Sequence, residues 1–320
     1  HYTETQECSA SGETAEVSCH KYGVCELLGE NEACSFGPLS WCVDPCDILE
    51  PSPESCLTSR GQRYGVHIDP KLEGGNPSPE ELQKAGIRWV RIVFKDPQTT
   101  ADASITRLDY YEDIIDAHHS VGIRVLLVLN HKSVPGHPTS IASIQSWAVY
   151  RAKFIERVSQ IAEHFENKVD AWQVWNGPDQ ETPTTAGATA HVPAISFGPI
   201  ASQSYNAIKN HSEMPIVLGG FATGNTNYVL TVIGAAAGNG PMPFDALGVN
   251  PYLKQAPAGW PDVNWGSGPM DSTLNAYKNV ASGKPVWITE VGCEDTLYQS
   301  DYVTNVFVMV SPVEQFVPVT

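Results

Sequence analysis

The sequence predicts an α/β fold: a (β/α)8 TIM barrel lacking a complete last helix, preceded by a small disulfide-rich module. Three observations carry this. Apolar, β-branched runs alternate with amphipathic segments from residue 62 to residue 320, as expected of repeated strand–helix units. That span matches the ~250 residues typical of such a barrel. Seven of the eight cysteines fall within the first 56 residues, a stretch too short to bury a self-sufficient core without cross-links.

Residues 1–58 are read as the stapled module. They are rich in Glu, Ser and Gly, lack a long apolar period, and carry Cys8, Cys19, Cys25, Cys34, Cys42, Cys46 and Cys56. Such density, behind a first residue that is His1 and not Met, implies a secreted, extracellular chain with disulfide bonds. A zinc module on Cys42-x3-Cys46 would need a second short pair, which the sequence lacks, so no metal site is expected. Seven is odd. If all eight cysteines are oxidised within one chain, at least one N-terminal cysteine pairs with Cys293, tying the module to the barrel mouth. If Cys293 is free, the unpaired N-terminal cysteine is available to another chain. The polar, Pro/Ser-rich stretch Glu50–Ser55 marks the boundary, and the barrel is expected over 62–320.

Seven apolar runs follow in order: Tyr64–Ile68, Ile87–Phe94, Ile123–Leu129, Asp170–Trp175, Pro215–Phe221, Ala246–Tyr252 and Pro285–Val291. The helical segments expected with them are Pro79–Ala85, Ile105–Ser120, Ile144–Asn167, Ile200–His211, Asn227–Ala237, Thr273–Ala281 and Leu297–Val310. In the third, Trp147, Tyr150, Phe154, Val158, Ile161 and Phe165 recur every three or four residues, which defines one buried face. An eighth run, Glu314–Val319, ends just before Thr320. Without a further helix, the flank between the eighth and first strands would expose apolar surface that soluble monomers rarely tolerate. The cysteine module, a second copy of the chain or further C-terminal residues should cover it. A doubly wound sheet is disfavoured, because Glu73-Gly74-Gly75 does not fit the Gly-x-Gly-x-x-Gly that follows its first strand.

Composition narrows the partners. Asp and Glu number 36 against 19 Lys and Arg, a formal net charge of −17, so clustered cations for nucleic acid are missing. No apolar run reaches the roughly 18–20 residues that span a bilayer, which argues against membrane insertion. No zinc or calcium motif is present, the adjacent His118 and His119 make a poor metal pair, and no cofactor is expected. Asn210-His211-Ser212 is a glycosylation sequon.

In such a barrel, function sits at the C-terminal ends of the strands. Those ends offer His67, Asp69, Arg91, Asn130, His131, Trp175, Asn176, Asn250, Tyr252 and Glu290. The segment Val169-Asp170-Ala171-Trp172-Gln173-Val174-Trp175-Asn176-Gly177-Pro178-Asp179 resembles the strand-four motif of clan A glycoside hydrolases, whose Trp-Asn-Glu-Pro carries the acid/base glutamate. Trp287–Gly292 resembles that clan's nucleophile strand. Trp89-Val90-Arg91-Ile92 resembles its strand two, and Asn250-Pro251-Tyr252 its strand-six His-Pro-Tyr.

This resemblance implies a secreted protein that acts on or binds β-linked polysaccharide, with Glu290 as the retaining nucleophile and Arg91 orienting it. Asn176 would hydrogen-bond the sugar 2-hydroxyl, and Trp175, Asn250 and Tyr252 would line the substrate site. The resemblance also exposes a departure. Retaining enzymes use two carboxyl groups about 5–5.5 Å apart, and Gly177 stands at the acid/base position. Loss of acid/base help costs ~100- to 10,000-fold, so hydrolysis is expected to be weak or lost. Asp179 or Glu181, in the following loop, could supply a replacement acid; His131, on a neighbouring loop, is a weaker candidate. Trp260 and Trp265, after strand six, could stack on sugar rings or cap the core. The alternative is a non-catalytic, assembly-forming surface protein built on the same barrel.

Overall fold

The computed structural model describes residues 2–7, 14–19, 25–27, 64–70, 75–95, 107–138, 142–180, 191–237, 242–253, 264–265, 268–293, 306 and 316–318. The chain divides into two compact units, His1–Gln62 and Arg63–Thr320. In the first, Tyr2–Glu7, Thr14–Cys19 and Cys25–Leu27 form a three-stranded antiparallel sheet that sets Cys19 opposite Cys25 in backbone register. The expected cysteine pairings, the covering of the barrel flank, and Glu181 and Trp260 lie outside the described residues.

The second unit is an eight-stranded parallel sheet with helices between its strands. The strands are β1 (Gly65–Ile68), β2 (Trp89–Val93), β3 (Arg124–Leu129), β4 (Ala171–Val174), β5 (Ile216–Phe221), β6 (Ala246–Val249), β7 (Val286–Ile288) and β8 (Phe316–Pro318). They neighbour one another in unbroken sequence order, each pair parallel. The described helices are α1 (Pro79–Lys84), α2 (Arg107–Ser120), α3 (Ile144–Phe165), α4 (Ala194–Lys209), α5 (Thr226–Ala236) and α6 (Met270–Ala281).

Strand alternation sorts the core into two layers. Val90, Ile92, Val125, Leu127, Trp172, Val174, Ile216, Leu218, Leu247, Val249, Val286 and Ile288 join the cluster shared with the helices. The intervening positions Trp89, Leu126, Ala171, Val217, Ala246 and Trp287 form a separate buried cluster within the sheet's other face. Trp89 and Trp287 meet edge to face there, ring centres 5.7 Å apart. Residues two apart on a strand share a face, so the next position on that inner face is Arg91 on β2 and Gln173 on β4. Alternation thus places polar groups directly beyond the apolar layer.

Local sequence accounts for the helices. Ser78 and Glu81 close α1 with a reciprocal capping box. Ser143 caps α3, whose buried residues include the six expected from the three- and four-residue spacing. The fourth helix differs from expectation: it starts at Ala194 and runs through Gly198-Pro199, not from Ile200. The Gly-Pro pair reads as a breaker, but it lies in a tight helix contact. A Cβ on Gly198 would come within 2.6 Å of Val232 O and Ala235 Cβ on α5, so glycine allows the two helices to close. The sixth strand also ends sooner than expected, at Val249. Tyr252–Leu253 leaves the main sheet and pairs in parallel with Gly292–Cys293.

Candidate active site

The polar groups that end β2, β4, β6 and β7 converge on Glu290. The Arg91 side chain is fully buried and that of Glu290 is 18% exposed; Arg91 Nη1 donates to Glu290 Oε1 at 2.6 Å. Nε of the same guanidinium donates to Gln173 Oε1 at 2.9 Å, and Nη1 also donates to His67 Nδ1 at 3.3 Å. Gln173 Nε2 in turn donates to the carbonyls of Trp175 and Gly219. The arginine is therefore gripped from β1 and β4 while it holds the carboxylate on β7.

Two further donors reach Glu290. Asn176 Nδ2 bonds Oε1 at 2.9 Å, and Tyr252 Oη bonds Oε2 at 2.7 Å. Behind Asn176, Asn250 Nδ2 donates to Asn176 Oδ1 (2.9 Å) and Thr289 Oγ1 donates to Asn250 Oδ1 (2.6 Å). This relay fixes the orientation of both amides. It also explains a glycine: a Cβ on Gly220, at φ 131°, would collide with Asn176 Oδ1 and lie 3.0 Å from Gln173 Nε2. Tyr252 reaches Glu290 because its short ladder with Gly292–Cys293 sets it beside the continuation of β7.

The charges follow from this packing. Burial pushes the Glu290 pKa up, but the Arg91 charge, then the Tyr252 hydrogen bond, His67 and Asn176 outweigh it, and the net shift is downward. Burial of the Tyr252 hydroxyl and the adjacent Glu290 charge drive the phenol pKa well up. His67 is lowered to about 4, by burial first and then by Arg91, against the opposing pull of Glu290 and Asp69. At neutral pH the cluster is an ionised carboxylate, a guanidinium, a neutral imidazole and a neutral phenol.

Several candidates sit elsewhere. Asp179 is 4% exposed, and its oxygens accept from Ala222 N–H (2.9 Å), Thr223 N–H (3.0 Å) and Thr223 Oγ1 (2.6 Å). It clamps the loop after β4 to the loop after β5, an acceptor in every contact, which corrects its reading as a replacement acid. Trp175, with φ 72°, is fully buried against Phe154, Phe197 and His131; it belongs to the core, which corrects its reading as a residue that lines the substrate site. Trp265 is 2% exposed, stacks on Tyr277 at 5.2 Å and donates to Ala222 O, so of its two readings the structure gives the core cap. Asn250 is buried and supports Asn176. Of the expected site residues among those described, Arg91, Asn176 and Tyr252 touch Glu290, and Tyr252 keeps 42% exposure. His131 is lowered to about 4, mainly by burial, and is neutral beside Trp175.

Gln173, Thr289 and Gln180 were not singled out from the sequence. Gln173 could have been, since it shares the inward alternation of Ala171. Asp109, Glu112 and His164 bring ligand atoms within 4.8 Å of one another, but Lys168 and His164 already engage Glu112.

The parallel sheet with its intervening helices is a TIM-barrel-like α/β fold, and the carboxylate of Glu290, fixed by donors from several strands, lies at its polar end. Solved structures with this fold include a GH5-4 broad-specificity endoglucanase from Clostridium longisporum (TM-score 0.57, 15% identity, covering 81% of this chain and 85% of that one). A family 1 β-glucosidase from Thermotoga maritima is similar at TM-score 0.54 and 14% identity, over 82% and 88% of the two chains. A fungal β-1,4-galactanase is similar at TM-score 0.53 and 17% identity, over 80% and 82%. No family profile and no curated protein sequence matches the chain. The likeness is one of fold.

Proposed function

We propose that this is a secreted, glycoside-hydrolase-like protein that acts on or binds β-linked polysaccharide, with Glu290 as its nucleophile and with hydrolysis of unactivated substrate weak or lost. The observation that carries the reading is the grip on that carboxylate: Arg91, Asn176 and Tyr252, from three separate strand ends, donate to its two oxygens. Donors that hold a carboxylate ionised and oriented at a barrel mouth suit a nucleophile that attacks an anomeric carbon. Arg91 orients it, Asn176 lies beside it to meet the sugar 2-hydroxyl, and the exposed Tyr252 ring faces substrate. The cysteine module is disulfide-bonded in an extracellular setting.

The second reading, a carbohydrate-binding or structural protein without turnover, is favoured by one observation: Gly177, at the strand-four motif, has no side chain to donate a proton. Turnover of aryl β-glycosides decides between them. The first reading predicts slow release of the phenol, accelerated by azide and abolished in Glu290→Ala. Binding of oligosaccharide with no phenol release at any azide concentration establishes the second.

A further inference from the structure

Gly177 follows Asn176, whose side chain reaches Glu290, and has φ +60°. A Cβ built on it would lie 2.7 Å from Gln180 Oε1 and 3.2 Å from Gln180 Cδ. The Gln180 carboxamide therefore covers the face of Gly177 from which a side chain would project. The backbone beneath is fixed, since Gly177 N–H donates to Gly220 O at 3.0 Å and Gln180 N–H to Gly177 O at 3.1 Å. Asp179, between them, is committed to Ala222 and Thr223. A carboxamide can donate a hydrogen bond but cannot give up a proton near neutral pH.

Resting on the reading of Glu290 as nucleophile, we propose that Gln180 stands in the place of the general acid. The site then takes β-glycosides whose leaving group departs as a stable anion without being protonated: glycosyl esters of carboxylic acids or phosphate, and glycosides of acidic phenols.

The chemistry balances without an acid. A Glu290 oxygen forms a bond to the anomeric carbon as the bond to the leaving oxygen breaks, and the electron pair leaves as carboxylate, phosphate or phenolate. Water then attacks the glycosyl ester, Glu290 departs as carboxylate, and the surplus proton passes to solvent. This second step lacks a base and is slow. Azide, already anionic, needs no base and gives the glycosyl azide.

The test uses the full chain with β-glycosides of phenols spanning pKa values from about 4 to about 10, a 1-O-benzoyl glycoside, a β-glycosyl phosphate and an unactivated oligosaccharide. The expected glycosylation rate falls roughly tenfold per unit of leaving-group pKa, has no basic limb, and is undetectable for the oligosaccharide. The ester and phosphate arms show which acidic leaving group the site prefers. In Gln180→Glu, a carboxyl replaces the amide at constant shape; the dependence should flatten and oligosaccharide turnover appear. A shallow dependence in the unaltered protein, with rate lost above neutral pH and in Glu181→Gln, would overturn the proposal by revealing a loop acid. An unchanged slope in Gln180→Glu would overturn the placement of Gln180. A 2-deoxy-2-fluoro-β-glycosyl fluoride panel separates the two levels: its fluoride leaves without protonation, so failure to label Glu290 removes the nucleophile reading itself, whereas labelling with a shallow slope removes only the inference about the acid.

Discussion

The inner side of the sheet has two successive layers, the first set by strand alternation and the second by alternation together with the residues just past the strand ends, and they obey different rules. The apolar layer of Trp89, Leu126, Ala171, Val217, Ala246 and Trp287 is held by area and shape, and any side chain that fills the space serves. The layer beyond it, Arg91, Gln173, Asn176, Asn250, Thr289 and Glu290, is held by a chain of donors matched to acceptors. There, removing one member leaves another buried and unpaired. The apolar layer can drift in sequence while the polar one cannot, and that contrast can be measured.

The largest effect expected is at Arg91. Arg91→Met keeps most of the volume but leaves Glu290 without its counter-charge, and should cost about 3–5 kcal/mol in urea denaturation; a cost near zero would mean that the pair carries no structural weight. Leu126→Ala, in the apolar layer, should cost about 2–5 kcal/mol through its cavity, yet Leu126→Met less than about 1.5 kcal/mol. Thr289→Val is as conservative in shape, but it leaves Asn250 Oδ1 without its donor and should cost about 1–3 kcal/mol. If the two shape-conserving changes cost the same, the distinction between the layers fails.

Acid should weaken the mouth gradually. His67 and His131 titrate near 4 when folded and near 6.5 when unfolded. Between those values the unfolded chain takes up protons that the folded chain refuses, so stability is full above pH 6.5 and declines as pH falls toward 4. The lowered pKa of Glu290 adds a further loss below its ordinary value, as the carboxylate protonates and releases Arg91. Melting temperature against pH, compared with His131→Gln, should show a shallower slope for the variant across that window. Parallel curves would place the acid sensitivity in other groups.

The strand order and helix spacing were legible because burial on two faces imposes alternation and spacing on the order of apolar residues. The four motifs that surround Glu290 were legible for the same reason, each at the end of an apolar run. What lay beyond β4 and β6 was not. Trp175 turns into the core because its backbone adopts a positive φ, which residue identity does not announce. Asp179 is fixed by two backbone N–H groups 43 and 44 residues away, partners that only the fold brings near. Sequence leaves Trp265 as either a sugar platform or a core cap, and only its stacking on Tyr277, on α6, decides for the cap. The Gly198-Pro199 pair reads as a boundary because its need for close contact with α5 is a tertiary fact.

The central claim, that Glu290 is a competent nucleophile held by Arg91, Asn176 and Tyr252, is tested most directly by covalent trapping. The protein is incubated with a panel of 2-deoxy-2-fluoro-β-glycosyl fluorides, digested, and the peptide containing Glu290 is weighed and fragmented. The account predicts a single glycosyl adduct on Glu290 with at least one sugar of the panel, absent in Glu290→Gln. An adduct on another carboxylate, or none with any sugar while the protein still binds oligosaccharide, would contradict it.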